Sequence, residues 1–109
     1  MYELELKKKK IKVEAFKTSY TTNDNLAVIV ENKDFEAVLT VNLEDSLSKD
    51  CAYIDTNNVE WAEKFLQENK IAKPTGWFKN SGYCSYPEYR FDMSKLKSYE
   101  DESDEDMEM

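Results

Sequence analysis

Cys84 sits in the run Ser81-Gly82-Tyr83-Cys84-Ser85-Tyr86-Pro87, a nucleophilic thiol among aromatic and hydroxyl groups. A thiol attacks only as the thiolate, and a neighbouring base or cation must favour that form. The 109-residue chain contains no histidine, which removes the commonest general base, the commonest transition-metal ligand and any Ser-His or Cys-His dyad. Cys84 and Cys51 therefore read as structural thiols of a reducing compartment, and two cysteines alone do not make a zinc site. Asp55 and Glu60 suggest a carboxylate pair for acid–base work or calcium. Their spacing lacks the Asp-x-Asp-x-Asp-Gly order of a calcium loop, and a helix start explains both residues. With Gly76 and Gly82 the only glycines, no Gly-rich phosphate loop exists. The residues imply no metal, no cofactor and no enzyme.

Charge offers a different chemistry. The formal net charge is −8, unevenly spread. Residues 1–30 hold six lysines against four acids, whereas residues 31–63 hold nine acids against two lysines. Residues 64–99 hold seven bases against three acids, and residues 100–109 hold seven acids with no base. The acids of the middle segment are Glu31, Asp34, Glu36, Glu44, Asp45, Asp50, Asp55, Glu60 and Glu63. If their loops face one way, they form a negative surface able to enter the basic groove of a nucleic-acid-handling protein, with carboxylates where phosphates would sit. The plain alternative is that loops simply carry solvated charge. Direct nucleic-acid binding is disfavoured, because phosphate contacts need a net basic face. An aromatic segment, Trp77, Phe78, Tyr83, Tyr86, Tyr89 and Phe91, beside Lys79 and Arg90, keeps a stacking surface for single-stranded nucleic acid, built on Trp77, Tyr83, Tyr86 and Tyr89, as the alternative to one side of a core. A structural role is the remaining reading.

These groups must be positioned by strands and one helix. Tyr2, Leu4 and Leu6 alternate with charges, as do Ile11, Val13 and Ala15, and Lys7–Lys10 between them reads as a charged turn. Thr18–Asp24 reads as a loop. Asn25–Glu31 and Phe35–Asn42 form a hairpin around Glu31-Asn32-Lys33-Asp34. Cys51–Ile54 reads as a further strand. Asn57 is placed as an N-cap with Glu60 as the reciprocal partner of a capping box, starting a helix over Asn58–Asn69 with its apolar stripe at Val59, Ala62, Phe65 and Leu66. Lys73-Pro74-Thr75-Gly76 reads as a turn, and Trp77 to Tyr86 as a hairpin turning at Asn80-Ser81-Gly82. Tyr89 and Phe91 resume the alternation, and Asp92 caps a short helix from Met93 to Tyr99. The pattern implies an α+β fold: an antiparallel sheet of about five to seven strands with one main α-helix on one face. Leu26, Val28, Val30, Val38, Leu39, Val41 and Ile54 supply the opposing core. One domain spans residues 1–99, and the acidic tail over 100–109 is expected to be disordered. No apolar run reaches the ~20 residues needed to span a bilayer, and the acidic N-terminus is unlike a signal peptide, so the location expected is cytoplasmic.

Asn25-Leu26-Ala27, Leu39-Thr40-Val41-Asn42-Leu43, Tyr53-Ile54-Asp55-Thr56-Asn57-Asn58, Trp61, Phe65-Leu66, Thr75-Gly76 and Ser81–Pro87 resemble a family of domains of unknown function, the DUF4313 type. The likeness covers roughly residues 11–92. It implies an origin in phages, plasmids and integrative elements of Firmicutes, and it assigns no activity, ligand or catalytic residue. The family's usual glycine near the helix end stands here as Lys70. Together these readings point to a mobile-element accessory protein. It would act by binding a host or element protein, in the manner of an anti-CRISPR or anti-restriction inhibitor.

Overall fold

The computed structural model describes residues 1–99. The expectation for residues 100–109 lies outside the described residues. The chain folds as β1 (Tyr2–Leu6), β2 (Lys9–Ser19), β3 (Leu26–Asn32), β4 (Phe35–Val38), β5 (Thr40–Val41), β6 (Cys51–Ile54), α1 (Ala62–Glu68), β7 (Ala72–Ser81), β8 (Cys84–Phe91), a 3-10 turn (Met93–Lys95) and β9 (Lys97–Ser98). The architecture is α+β, mostly antiparallel, but it contains two sheets. The first has the order β1-β2-β3-β4, with β9 also on β2. The second has the order β5-β6-β8-β7.

The nine strands exceed the five to seven expected for two reasons. First, the segment Phe35–Asn42 is not one strand. β4 pairs with β3, and the chain then changes sheets at Leu39 so that β5 pairs with β6. The Leu39 N–H donates to the Val28 carbonyl at 2.9 Å in the first sheet, while its carbonyl accepts from the Asp55 N–H at 2.9 Å in the second. The Val28 N–H is left without its ladder partner, and the Thr40 hydroxyl accepts it at 3.2 Å. Second, Lys97–Ser98 adds a short strand parallel to Phe16–Lys17, extending the edge that β1 vacates after Val13. The helix expected through Tyr99 is only the 3-10 turn, which Asp92 does cap by accepting from the Ser94 N–H at 3.1 Å.

Both sheets and the helix share a core. Leu4, Val13, Ala15, Val28 and Val30 come from the first sheet, Ala52, Ile54, Tyr89 and Phe91 from the second, and Val59, Ala62, Phe65 and Leu66 from the helical segment. Of the core expected from sequence, Val38 is 45% exposed and Val41 half-buried. Val38 follows the alternation of β4 onto the outer face with Glu36, and the change of sheet at Leu39 shifts Val41 off the inner face.

The helix is shorter than Asn58–Asn69, and its start is not the Asn57–Glu60 capping box. Trp61 occupies the N-cap position without a side-chain cap bond. The turn before it is held instead by Asp55, whose carboxylate accepts from the Asn58 N–H at 3.2 Å and the Asn58 amide at 3.0 Å, and whose carbonyl accepts from the Val59 N–H. At the other end Lys70 takes a left-handed φ of 56°, so the Ile71 N–H reaches the Leu66 carbonyl and the Lys70 N–H the Gln67 carbonyl. This Schellman closure ordinarily uses glycine. Lys73-Pro74-Thr75-Gly76 is likewise not a turn but part of β7. Between Pro74, opposite Tyr89, and Phe78, opposite Pro87, β7 bulges, with Gly76 at a φ of +96°. The hairpin turn falls one step later than expected, at Gly82-Tyr83. β2 also runs on to Ser19, two residues into the expected loop.

Two stability tests follow from these backbone devices. Thr40→Val leaves the Val28 N–H buried without an acceptor and is expected to cost about 1–3 kcal/mol in denaturant unfolding, with Thr40→Ser restoring most of it. Lys70→Gly removes the steric cost of the left-handed residue and is expected to stabilise by about 1 kcal/mol, read as a rise in Tm.

Candidate functional site

The cross-strand register assembles a row of carboxylates on the outer face of the first sheet. Glu14 of β2 stands opposite Glu31 of β3, and Glu31 stands opposite Glu36 of β4. Side chains directly opposite in an antiparallel pair lie about 5 Å apart, and like charges there are destabilising. Glu14 is balanced by the Lys97 ammonium at 2.6 Å and the N-terminal ammonium at 3.7 Å. The Lys97 bond, opposed by partial burial, holds the Glu14 carboxyl below its ordinary range. Asp34 extends the row at the hairpin turn, where its N–H donates to the Asn32 side chain at 2.8 Å. Two residues further along each strand, the same face carries Phe16, Ile29 and Val38 side by side. Phe16 is covered by Tyr99, their rings 5.5 Å apart and nearly perpendicular, whereas Val38 remains exposed. Glu14 was not among the acids singled out from the sequence, because only the β2–β3 register reveals its place.

The other acids lie elsewhere. Asn25, buried at the start of β3, clamps the connection after β5. Its amide donates to the Asp45 carbonyl at 2.6 Å, and its side-chain oxygen accepts from the Leu47 N–H at 3.0 Å. Asp45 then accepts from the Tyr53 hydroxyl at 3.1 Å and from Lys79. The Lys79 ammonium, with help from Tyr53 and against some desolvation, holds the Asp45 carboxyl below its ordinary range. Asp50 pairs with Arg90 at 3.4 Å. Glu44 lies on the rim of a 610 Å³ cleft lined also by Asn23, Asn42 and Lys79. These loop acids and the row at Glu31 and Glu36 are at opposite ends of β3, about 20 Å apart at the usual strand rise. Asp55 holds its turn. Glu63 accepts from the Tyr89 hydroxyl at 2.7 Å, and Glu60 is exposed beside Trp61 and Lys7. The nine acids thus form no single surface. Asp45, Asp50, Asp55 and Glu63 serve the fold, while Glu31, Asp34 and Glu36 gather at one end of the first sheet.

The aromatic set also divides. β6 pairs with β8 only over Glu88–Arg90, so Phe78–Ser81 and Cys84–Pro87 form a two-stranded arm. Trp77 and Phe78 are 74% and 62% exposed, and Tyr83 at the tip is fully exposed. Tyr86 and Tyr89 are buried. The Tyr89 hydroxyl accepts from Gln67 at 2.7 Å while donating to Glu63, so its ring is not available for stacking. Phe78, part of the same aromatic segment in the sequence, is the third exposed ring beside Trp77 and Tyr83. No alternation in the sequence marked it as outward, because the bulge at Gly76 resets the faces. Both thiols are free. Burial, the largest influence, pushes the Cys51 thiol up, and it lies 3.6 Å from Asp50. Among the described residues no group of three Cys, Asp or Glu is placed to hold a metal ion, and no helix is long and apolar enough to cross a membrane.

A family model described as a domain of unknown function, DUF4313, matches residues 15–109. The chain belongs to this family. The match runs past residue 92 into the acidic tail and begins inside β2, so it takes in the second sheet, the arm and most of the first sheet, and leaves out β1 and the first part of β2 with Glu14. No curated protein and no solved structure matches the chain.

The two buried phenols set an alkaline limit. Burial first, and then the carboxylate that each hydroxyl faces, pushes Tyr53 and Tyr89 up to about 12. An unfolded tyrosine titrates near ~10. A raised folded value contributes stability in full below the unfolded value, and that contribution is lost as pH rises from about 10 to about 12. Denaturant midpoints are expected to fall across that window, and Tyr53→Phe is expected to flatten the fall.

Proposed function

We propose that this chain is a non-enzymatic accessory protein of a phage or other mobile element, and that it binds a host or element protein that handles nucleic acid. In this reading the outer face of the first sheet enters the partner's basic groove and blocks it, as an anti-CRISPR or anti-restriction inhibitor would. The observation that carries the reading is the row Glu14, Glu31 and Glu36 across three adjacent strands, with Asp34 at its end. Carboxylates gathered on one sheet face complement a basic partner surface. The exposed Val38 beside the row adds apolar contact of the kind found at the centre of protein interfaces. The absence of histidine and the buried, raised Cys51 thiol support a binding role over a catalytic one.

The arm supports a second reading, single-stranded nucleic-acid binding through Trp77, Phe78 and Tyr83. Its nearest cation, Lys79, is already paired with Asp45, which weakens the attraction to phosphate.

Asp34→Lys with Glu36→Lys tests the first reading against a control in which Glu44→Lys and Glu60→Lys carry the same change of charge. With both variants folded to the same Tm, the first is expected to lose at least about tenfold in affinity for the captured partner, equal to about 1.4 kcal/mol, and the control to keep it. Equal binding by both variants overturns the acidic-row mechanism. Salt-sensitive quenching of tryptophan fluorescence by an oligonucleotide, lost in Trp77→Ala, favours the second reading instead.

A further inference from the structure

Among the described residues β7 is the outer strand of the second sheet, and its free edge changes character halfway along. From Ala72 to Gly76 it carries devices that keep sheet edges from pairing: the charge of Lys73, the missing N–H of Pro74 and the bulge at Gly76. From Trp77 to Ser81 those devices stop. Although 35% of the chain is charged, the run Gly76–Pro87 contains one charge, Lys79, and that ammonium is bonded to Asp45. The same bare half carries the exposed rings of Trp77 and Phe78, with Tyr83 at the tip. The hairpin also fixes which backbone groups face outward. Ser81 stands opposite Cys84 across the turn Gly82-Tyr83, and Lys79 opposite Tyr86. A pair that closes a two-residue turn exchanges both ladder bonds, and so does every second pair after it. The alternation turns the N–H and C=O of Phe78 and Asn80, both exposed, away from β8.

We propose that two copies of this chain pair antiparallel along the bare half of β7, with Asn80 on the two-fold axis. The register selects a second copy as the occupant, because this edge complements itself. About Asn80, Trp77 comes beside Tyr83 of the second copy, Phe78 beside its Gly82 and Lys79 beside its Ser81. Two rings meet, a ring covers a residue without a side chain, and a lysine stands by a hydroxyl. An axis at Lys79 would set lysine against lysine, and an axis at Phe78 would run the pairing into the bulge. Charge points to the same place. Chains of net charge −8 repel one another, and the arm lets them meet without opposing like charges. The contact is isologous, the commonest form of closed assembly, and it joins the two second sheets into one. No residue of the carboxylate row lies on β7, so the dimer carries two such rows. The rings that would stack on bases are the ones the dimer covers, so the two uses of the arm exclude each other.

Sedimentation equilibrium of the full chain is expected to show the mass rising from one chain to two between about 1 μM and about 1 mM, the range of weak association. Asn80→Pro removes the axial N–H without removing a bond to β8, and is expected to leave a monomer at every concentration. Trp77→Ala, which trims a ring already in solvent, is expected to weaken the dimer at least about tenfold, and Lys73→Ala on the blunted half to leave it unchanged. Cross-linking reads the register. Hydrogen-bonded partners in an antiparallel pair have Cα atoms about 5.5 Å apart, within the reach of a disulfide. In a chain with Cys84→Ser, mild oxidation is therefore expected to join Asn80→Cys to its own copy and to spare Lys79→Cys. Cross-linking of Lys79→Cys as readily as Asn80→Cys, or a dimer that survives both Asn80→Pro and Trp77→Ala, overturns the proposal. A chain that stays monomeric throughout also overturns it, and quenching of that monomer's tryptophan fluorescence by an oligonucleotide would then assign the arm to nucleic acid.

Discussion

A single misdirected carbonyl organises this fold. In an ordinary hairpin Leu39 would exchange both of its ladder bonds with Val28. Here it keeps one, donating its N–H to Val28, and turns its carbonyl to Asp55 in the other sheet. A buried N–H without an acceptor would cost as much as a lost hydrogen bond or more. The Thr40 hydroxyl fills that place, and Tyr20 in turn approaches it at 2.9 Å. The change of sheet is thus stabilised by one side chain acting as a backbone group. Everything downstream depends on it: β5 pairs with β6, β6 carries β8, and β8 carries the arm.

The same corner marks the limit of what could be read from residue types. The helix stripe was legible because Val59, Ala62, Phe65 and Leu66 repeat at helical spacing, and all are buried. The β3–β4 hairpin was legible from two apolar runs flanking a polar turn. The break at Leu39 was not, because Phe35 to Val41 reads as an unbroken strand and only the destinations of its hydrogen bonds divide it. Val41 was therefore given to a core it does not join. The capping box failed for a related reason. Asn57 and Glu60 have the right spacing, but Asp55 satisfies the turn first. Lys97–Ser98 could not be found locally at all, since two residues become a strand only beside Phe16 and Lys17.

Composition announced the acidic middle, and register decided its meaning. Asp45, Asp50, Asp55 and Glu63 lie in that middle, yet each holds part of the scaffold: a loop on Tyr53, a strand end on Arg90, a turn on Asn58 and a helix on Tyr89. Glu14 lies outside it and joins the row. A surface built across three strands is invisible to any window along the chain, because the neighbours that matter are 17 and 5 positions apart. The aromatic arm shows the converse. Its residues are contiguous and were noticed, but the bulge at Gly76 determined which of them face solvent.

The position of β9 has a consequence for the order of folding. The Tyr2 hydroxyl donates to the Lys95 carbonyl across 93 positions, and Glu14 joins Met1 to Lys97. Contacts of such span form late, because loop closure must be met before they contribute. The first sheet can assemble early from β2, β3 and β4, each a near neighbour in the chain. Its edge closes only when the last described strand arrives. A nascent or partly unfolded molecule therefore exposes the Phe16–Lys17 edge as a vacant strand position, and β9 competes there with any other extended segment nearby.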